Sequence, residues 1–145
     1  MIIENPVILI VDDSENDALL MRVGFKRAGF SQPLHFAIDG DDAIAYLQGA
    51  GDYADRARFP LPTVVLMDLN MPRKDGFETL QWIRGVPALR GLNVNILSAS
   101  SRPEDIVRAY DLGANAYLLK PGTFDGLVEI ARVLLLWLRT TQCAP

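Results

Sequence analysis

The sequence predicts an α/β fold, a parallel sheet of five strands covered on both faces by five helices. Three observations carry this expectation. Short apolar runs rich in β-branched residues alternate with helical patterns along the chain. The clearest runs are apolar at consecutive positions, as strands buried on both faces are. The runs stop at a charged or hydroxyl side chain.

Residues 7–11 form the first strand and end at Asp12 and Asp13. Residues 16–28 carry Leu19, Leu20, Val23 and Phe25 in a helical pattern, with Gly29 placed to end it. Residues 34–38 are a weaker second strand. A helix over 41–48 turns Ala43, Ile44 and Leu47 inward. From 49 to 62 Gly, Asp, Arg and Pro accumulate, which reads as a long surface loop. Residues 63–67 repeat the first strand's pattern and stop at Asp68. The next helix, 77–84, holds Phe77, Leu80, Trp82 and Ile83. Residues 94–97 make the fourth strand and lead to Ser98. Arg102, Pro103 and Glu104 open a helix with proline in its first turn, and Gly113 ends it. Residues 116–119 are the fifth strand, followed by Lys120, and 125–139 the last helix. Thr123 is its cap or the turn before it.

Strand-then-helix units joined by right-handed crossovers give a doubly wound sheet. With five strands the flavodoxin-like order 2-1-3-4-5 follows, and its switch point lies between strands 1 and 3. A ligand is expected there, at the carboxyl ends of the strands.

The chain has 145 residues, the size of one domain, and half are hydrophobic, enough for one core. A formal net charge of −4 disfavours non-specific nucleic-acid binding, which needs many cationic contacts. The single cysteine, Cys143, cannot form an internal disulfide or a thiolate metal site, and reads as an incidental tail residue in a reducing compartment. The amino terminus lacks a basic start and its apolar run is too short for a signal peptide. No apolar run is long enough to span a bilayer. The expectation is a soluble cytoplasmic protein.

Asp12, Asp13, Asp68, Ser98 and Lys120 all fall at the edge where the topology puts a site. Three converging carboxylates repel one another. A hard divalent cation relieves this, and Mg²⁺ suits a site of few carboxylates because it keeps waters and accepts a phosphate oxygen. A carboxylate can also be the nucleophile that forms an aspartyl phosphate. Lys120 offers a point charge to phosphoryl oxygens and Ser98 a hydroxyl.

VILIVDD, MDLNMPRKDG, ILSAS and AYLLKP, in that order, resemble the receiver domains of bacterial response regulators over nearly the whole chain. The resemblance implies one receiver domain over 1–145, core about 5–140, with no output domain. It implies Asp68 as phosphoacceptor, Asp13 as a direct metal ligand, and Asp12 as a ligand through water or a supporting partner. The Asn70 backbone carbonyl completes the protein's share of the Mg²⁺ shell. Ser98 and Lys120 act on the phosphoryl group. Ser98 and Tyr117 are the switch positions, and Pro121 follows a cis bond. The protein then takes its phosphoryl group from a sensor histidine kinase and signals through altered contacts, turning over no external substrate. The long loop and LNMPRKDG are similar to small stand-alone receivers that serve phytochrome-type kinases.

Plainer readings compete. Asp12 and Asp13 can cap the first helix, Ser98 can satisfy local backbone, and Tyr117 can be a packing aromatic. His35, the one histidine, reads as structural. A Mg²⁺-dependent phosphohydrolase with an aspartyl-phosphate intermediate wants a second Asp where Asn70 stands, and Asn cannot serve as the general acid. A flavin-nucleotide binder wants an uncharged phosphate loop where DDSEND stands.

In the last helix Leu127, Ile130, Ala131, Leu134 and Leu138 form a core stripe. Val128, Val133, Leu135, Leu136 and Trp137 lie off it. A helix apolar nearly all round buries a second face, which predicts a homodimer or partner contact through this helix and strand 5, or cover by neighbouring loops.

Overall fold

The computed structural model describes residues 6–140, so Cys143 lies outside the described residues. Five strands and five helices alternate: β1 Ile8–Val11, α1 Glu15–Arg27, β2 His35–Ala37, α2 Gly40–Gln48, β3 Val64–Met67, α3 Gly76–Gly85, β4 Asn93–Ser98, α4 Pro103–Asp111, β5 Ala116–Leu119 and α5 Phe124–Thr140. The sheet is parallel, in the order β2-β1-β3-β4-β5, as the topology rule predicts. Every residue of β1 and of β3 is buried, which explains their unbroken apolar runs.

Alternate residues of each strand feed two cores. Leu9, Val11, Val65, Met67, Val94 and Ile96 meet Leu47 of α2, Leu80 and Ile83 of α3, and Ala109 of α4. Ile8, Ile10, Val64, Leu66 and Leu97 meet Met21 and Phe25 of α1 and Leu134, Leu135 and Leu138 of α5.

Side chains close the starts of four of the five helices, and α4 instead begins at Pro103 with no side-chain cap. Ser14, rather than Asp12 or Asp13, caps α1, its Oγ accepting from Asp17 N–H at 3.1 Å. Asp39 caps α2, and Asp75 with Glu78 forms a capping box at α3. Thr123 Oγ1 accepts from Gly126 N–H at 3.0 Å, which makes it the cap of α5.

Three expectations need correction. The buried face of α1 is Met21, Gly24 and Phe25, whereas Leu19 and Val23 are exposed. In α5, Val128 and Leu135 are core residues and Leu127 and Ile130 only half-buried, because the buried arc is wider than the stripe and turned along it. Val133, Leu136 and Trp137 are 65 %, 63 % and 41 % exposed, so that part of the second face is open. No cis peptide bond occurs among the described residues, so Lys120–Pro121 is trans, the lower-energy isomer.

The stretch expected as a long surface loop lies at the surface and is folded onto α2. Gly51–Tyr53 makes one 3-10 turn. Tyr53 and Phe59 pack with Tyr46, at ring distances of 5.0 and 6.1 Å. Arg56 donates to the carbonyls of Tyr46 and Leu47 at 2.7 and 2.8 Å, satisfying the last turn of α2. No helix among the described residues is long and apolar enough to cross a membrane.

Candidate functional site

The switch point brings the strand-end residues together. β1 and β3 are neighbours, with Val11 opposite Met67, so the residues that follow each strand emerge side by side. Asp68 N–H donates to Val11 O and Asp12 N–H to Ala37 O, both at 3.0 Å, which fixes the backbone beneath both carboxylates. Asp12, Asp13 and Asp68 each place a carboxylate oxygen within 4.8 Å of the others.

Lys120 arrives from the end of β5. Its ammonium donates to Asp12 Oδ2 at 2.8 Å, Asp17 Oδ2 at 2.9 Å and Asp68 Oδ2 at 3.0 Å. Burial favours the neutral amine, but the bonds to Asp12, Asp17 and Asp68 outweigh it and hold the pKa above the ordinary lysine value. Sequence reasoning missed Asp17. It sits in the first turn of α1, where an acidic residue is expected for the helix dipole alone, so nothing local marked it.

Four carboxylates against one ammonium leave the cluster strongly negative, and Asp68 is only 11 % exposed. The donors are all hard oxygens, the chemistry of Mg²⁺ or a similar cation rather than a soft metal. The residues present therefore fit such an ion. Asn70 is exposed at the edge of the cluster, and its N–H points at Asp68 Oδ1 over a long 3.4 Å.

The side chains of Ser98 and Tyr117 bond to the loop after β4 and not to the carboxylates. Ser98 is fully buried, and its Oγ accepts from Ser100 N–H at 3.2 Å. The Tyr117 hydroxyl donates to Ser100 O at 2.8 Å, and Ser100 in turn donates to Asp105 at 2.6 Å. That bond from the Ser100 hydroxyl, more than any other neighbour, holds the Asp105 carboxyl below its usual pKa. Ser98 and Tyr117 thus converge on the β4–α4 loop. From α4 the Tyr110 hydroxyl accepts the Tyr117 N–H at 3.1 Å. His35 packs edge-on against Tyr46 at 5.9 Å, away from the carboxylates, and burial lowers its pKa.

The sequence and the fold both have known counterparts. Residues 8–132 match the family model described as the response regulator receiver domain. The response regulator Rcp1 of Synechocystis sp. is 35 % identical over 135 residues, 92 % of this chain and 90 % of that protein. Its Mn²⁺-bound form superposes with a TM-score of 0.79 at 32 % identity, covering 97 % of this chain and 99 % of that one. RPA3017, a response regulator in red light signalling of R. palustris, superposes with a TM-score of 0.89 at 38 % identity, over 97 % and 98 % of the two chains. The phosphorylated cyanobacterial phytochrome response regulator RcpA gives 0.86 at 31 %, over 97 % and 99 %.

Proposed function

The chain belongs to the response regulator receiver family of two-component signalling, and we propose that Asp68 is its phosphoacceptor. The observation that carries this is the salt bridge of Lys120 to Asp68 inside a cluster of carboxylates at the switch point. Asp68 Oδ attacks the phosphorus of a phosphohistidine on a sensor kinase. A P–O bond forms and the P–N bond breaks with its electron pair going to the imidazole, which leaves as a neutral ring because its other nitrogen already carries a proton. The leaving group needs no acid, so Asn70 suffices where a phosphohydrolase needs one.

Lys120 balances charge on the transferring oxygens. Asp13, Asp12, Asp68 and the Asn70 carbonyl are the groups that hold Mg²⁺, which when bound screens the carboxylates and the phosphoryl oxygens from one another. Ser98 and Tyr117 read the phosphoryl group and pass its presence to the β4–α4 loop. The same site permits slow self-dephosphorylation by water. The names of RcpA and RPA3017 support a phytochrome-type kinase as the donor. The open face of Val133, Leu136 and Trp137 beside β5 supports a homodimer through α5.

The test is incubation with acetyl phosphate and Mg²⁺. Wild type gains an acid-stable, base-labile phosphoryl group, and Asp68→Asn or removal of Mg²⁺ prevents it. Undiminished labelling of Asp68→Asn refutes the assignment. Transfer from a phosphorylated bacteriophytochrome kinase, but not from unrelated kinases, tests the partner.

A further inference from the structure

The loop that leads from Asp68 to α3 is tied down twice. At its base Gly76 N–H donates to Leu69 O at 3.0 Å. At its outer edge stands Arg73 with φ 62, the one non-glycine residue in the left-handed region among the described residues. An L side chain avoids that backbone unless something holds it there.

What holds it is Asp39. The Arg73 guanidinium forms an ion pair with Asp39 Oδ2, and the Asp39 side chain is only 1 % exposed. The other carboxylate oxygen accepts Asp42 N–H at 2.8 Å and caps α2. A buried carboxylate is costly without partners, and here both oxygens have one. The chains on either side are joined as well. Gly40 N–H donates to Lys74 O at 3.2 Å. A Cβ on Gly40 would lie 2.2 Å from Thr79 Oγ1 and 2.6 Å from Lys74 O, so only glycine lets α2 begin this close to the loop.

Asn70 lies on the span between Asp68 and Arg73. We propose that Asp39 and Arg73 are positioning residues for the acidic site, holding residues 69–75 in the arrangement that lets the Asn70 backbone serve the cation. Neither side chain touches the cation or the phosphoryl group. Groups that orient metal ligands commonly matter nearly as much as the ligands themselves. This inference rests on the reading of the carboxylates as a Mg²⁺ site.

The experiment titrates MgCl₂ into the full chain and follows the heat. Arg73→Gly suits the left-handed backbone, so it removes the anchor and spares the fold. Asp39→Ser keeps a capping oxygen but loses the charge. Asp13→Ala reports on the site itself and should abolish binding. Arg73→Gly and Asp39→Ser should each raise the Mg²⁺ Kd about tenfold, with Arg73→Lys recovering part of the loss. Amide hydrogen exchange over residues 69–75 of the metal-free protein should quicken in the first two. If both bind Mg²⁺ as wild type does while Asp13→Ala does not, the positioning role is wrong and the site reading stands. If wild type binds no Mg²⁺, the site reading fails and takes this inference with it. Should Asp39→Ser lose its circular dichroism, Arg73→Gly decides.

Discussion

Lys120 Nζ donates to Asp17 Oδ2 at 2.9 Å, tying the end of the last strand to the first turn of α1 across 103 residues of chain. The same ammonium serves Asp12 and Asp68, so the resting site is organised around one cation.

That arrangement has a pH signature. The folded pKa of Lys120 lies above its ordinary 10.5. Its stabilisation is therefore complete below the unfolded value and is lost as pH rises through the folded one. Lys120→Met should cost about 2 kcal/mol in urea unfolding of the metal-free protein. The gap to wild type should stay constant from about pH 7 to pH 9 and close only in strong alkali. A gap that already narrows below pH 9 contradicts the shared-ammonium geometry.

Ser98 separates acceptance from response. Its Oγ accepts the Ser100 N–H, so Ser98→Ala should cost about 1 kcal/mol of stability and still accept phosphate from acetyl phosphate. The phosphorylated variant should then bind its partner less well than phosphorylated wild type. A full response would leave Ser98 with the structural role alone.

The face of α5 can be dissected with one residue type. Leu136→Glu and Trp137→Glu place a charge at exposed positions, so each should stay folded and sediment as a monomer, and wild type should sediment as a dimer. Leu135→Glu places it in the core, where the residue is 1 % exposed, and should unfold the domain. A wild type that is monomeric at high concentration, with or without a phosphoryl mimic, refutes self-association.

Gly76 is packed against the backbone of Asp68. A Cβ there would sit 2.4 Å from Asp68 O and 2.8 Å from Leu69 Cα, and backbone yields less readily than side chains. Gly76→Ala should cost about 1–3 kcal/mol and slow phosphorylation by acetyl phosphate. Gly91→Ala, with nothing within 4 Å, is the control that should do neither. Equal stability of the two variants would show that the loop can shift.

The strands and the residues at their ends were legible because an apolar run that stops at a charge leaves both signals adjacent in sequence. Asp12, Asp13, Asp68 and Lys120 came together for that reason. Asp17 was not legible, since an acidic residue in a first helical turn already has a sufficient local explanation. The Asp39–Arg73 pair spans 34 residues and depends on a backbone angle that no residue pattern announced. The segment after α2 showed only as a surface loop because the residues that anchor it to Tyr46 of α2, Tyr53, Arg56 and Phe59, are spaced irregularly. In α1 and α5 hydrophobicity marked the helices but not which apolar residues face inward, because both carry more apolar residues than the sheet covers.

The bond from Tyr117 N–H to the Tyr110 hydroxyl bears on whether the molecule stays in solution. β5 is an edge strand, and an uncovered edge recruits strands from other molecules. In a parallel ladder alternate residues face the neighbour; Lys120 N–H goes to Ser98 O, so Tyr117, Leu119 and Pro121 point their backbone outward. Tyr110 covers the first of these donors, and proline has none to offer at the third. Of the outward N–H donors only that of Leu119 is left to recruit a strand. Helix α4 therefore serves as a guard against fibrous aggregation, and Tyr110→Phe chains should scatter more light on prolonged concentration than wild type.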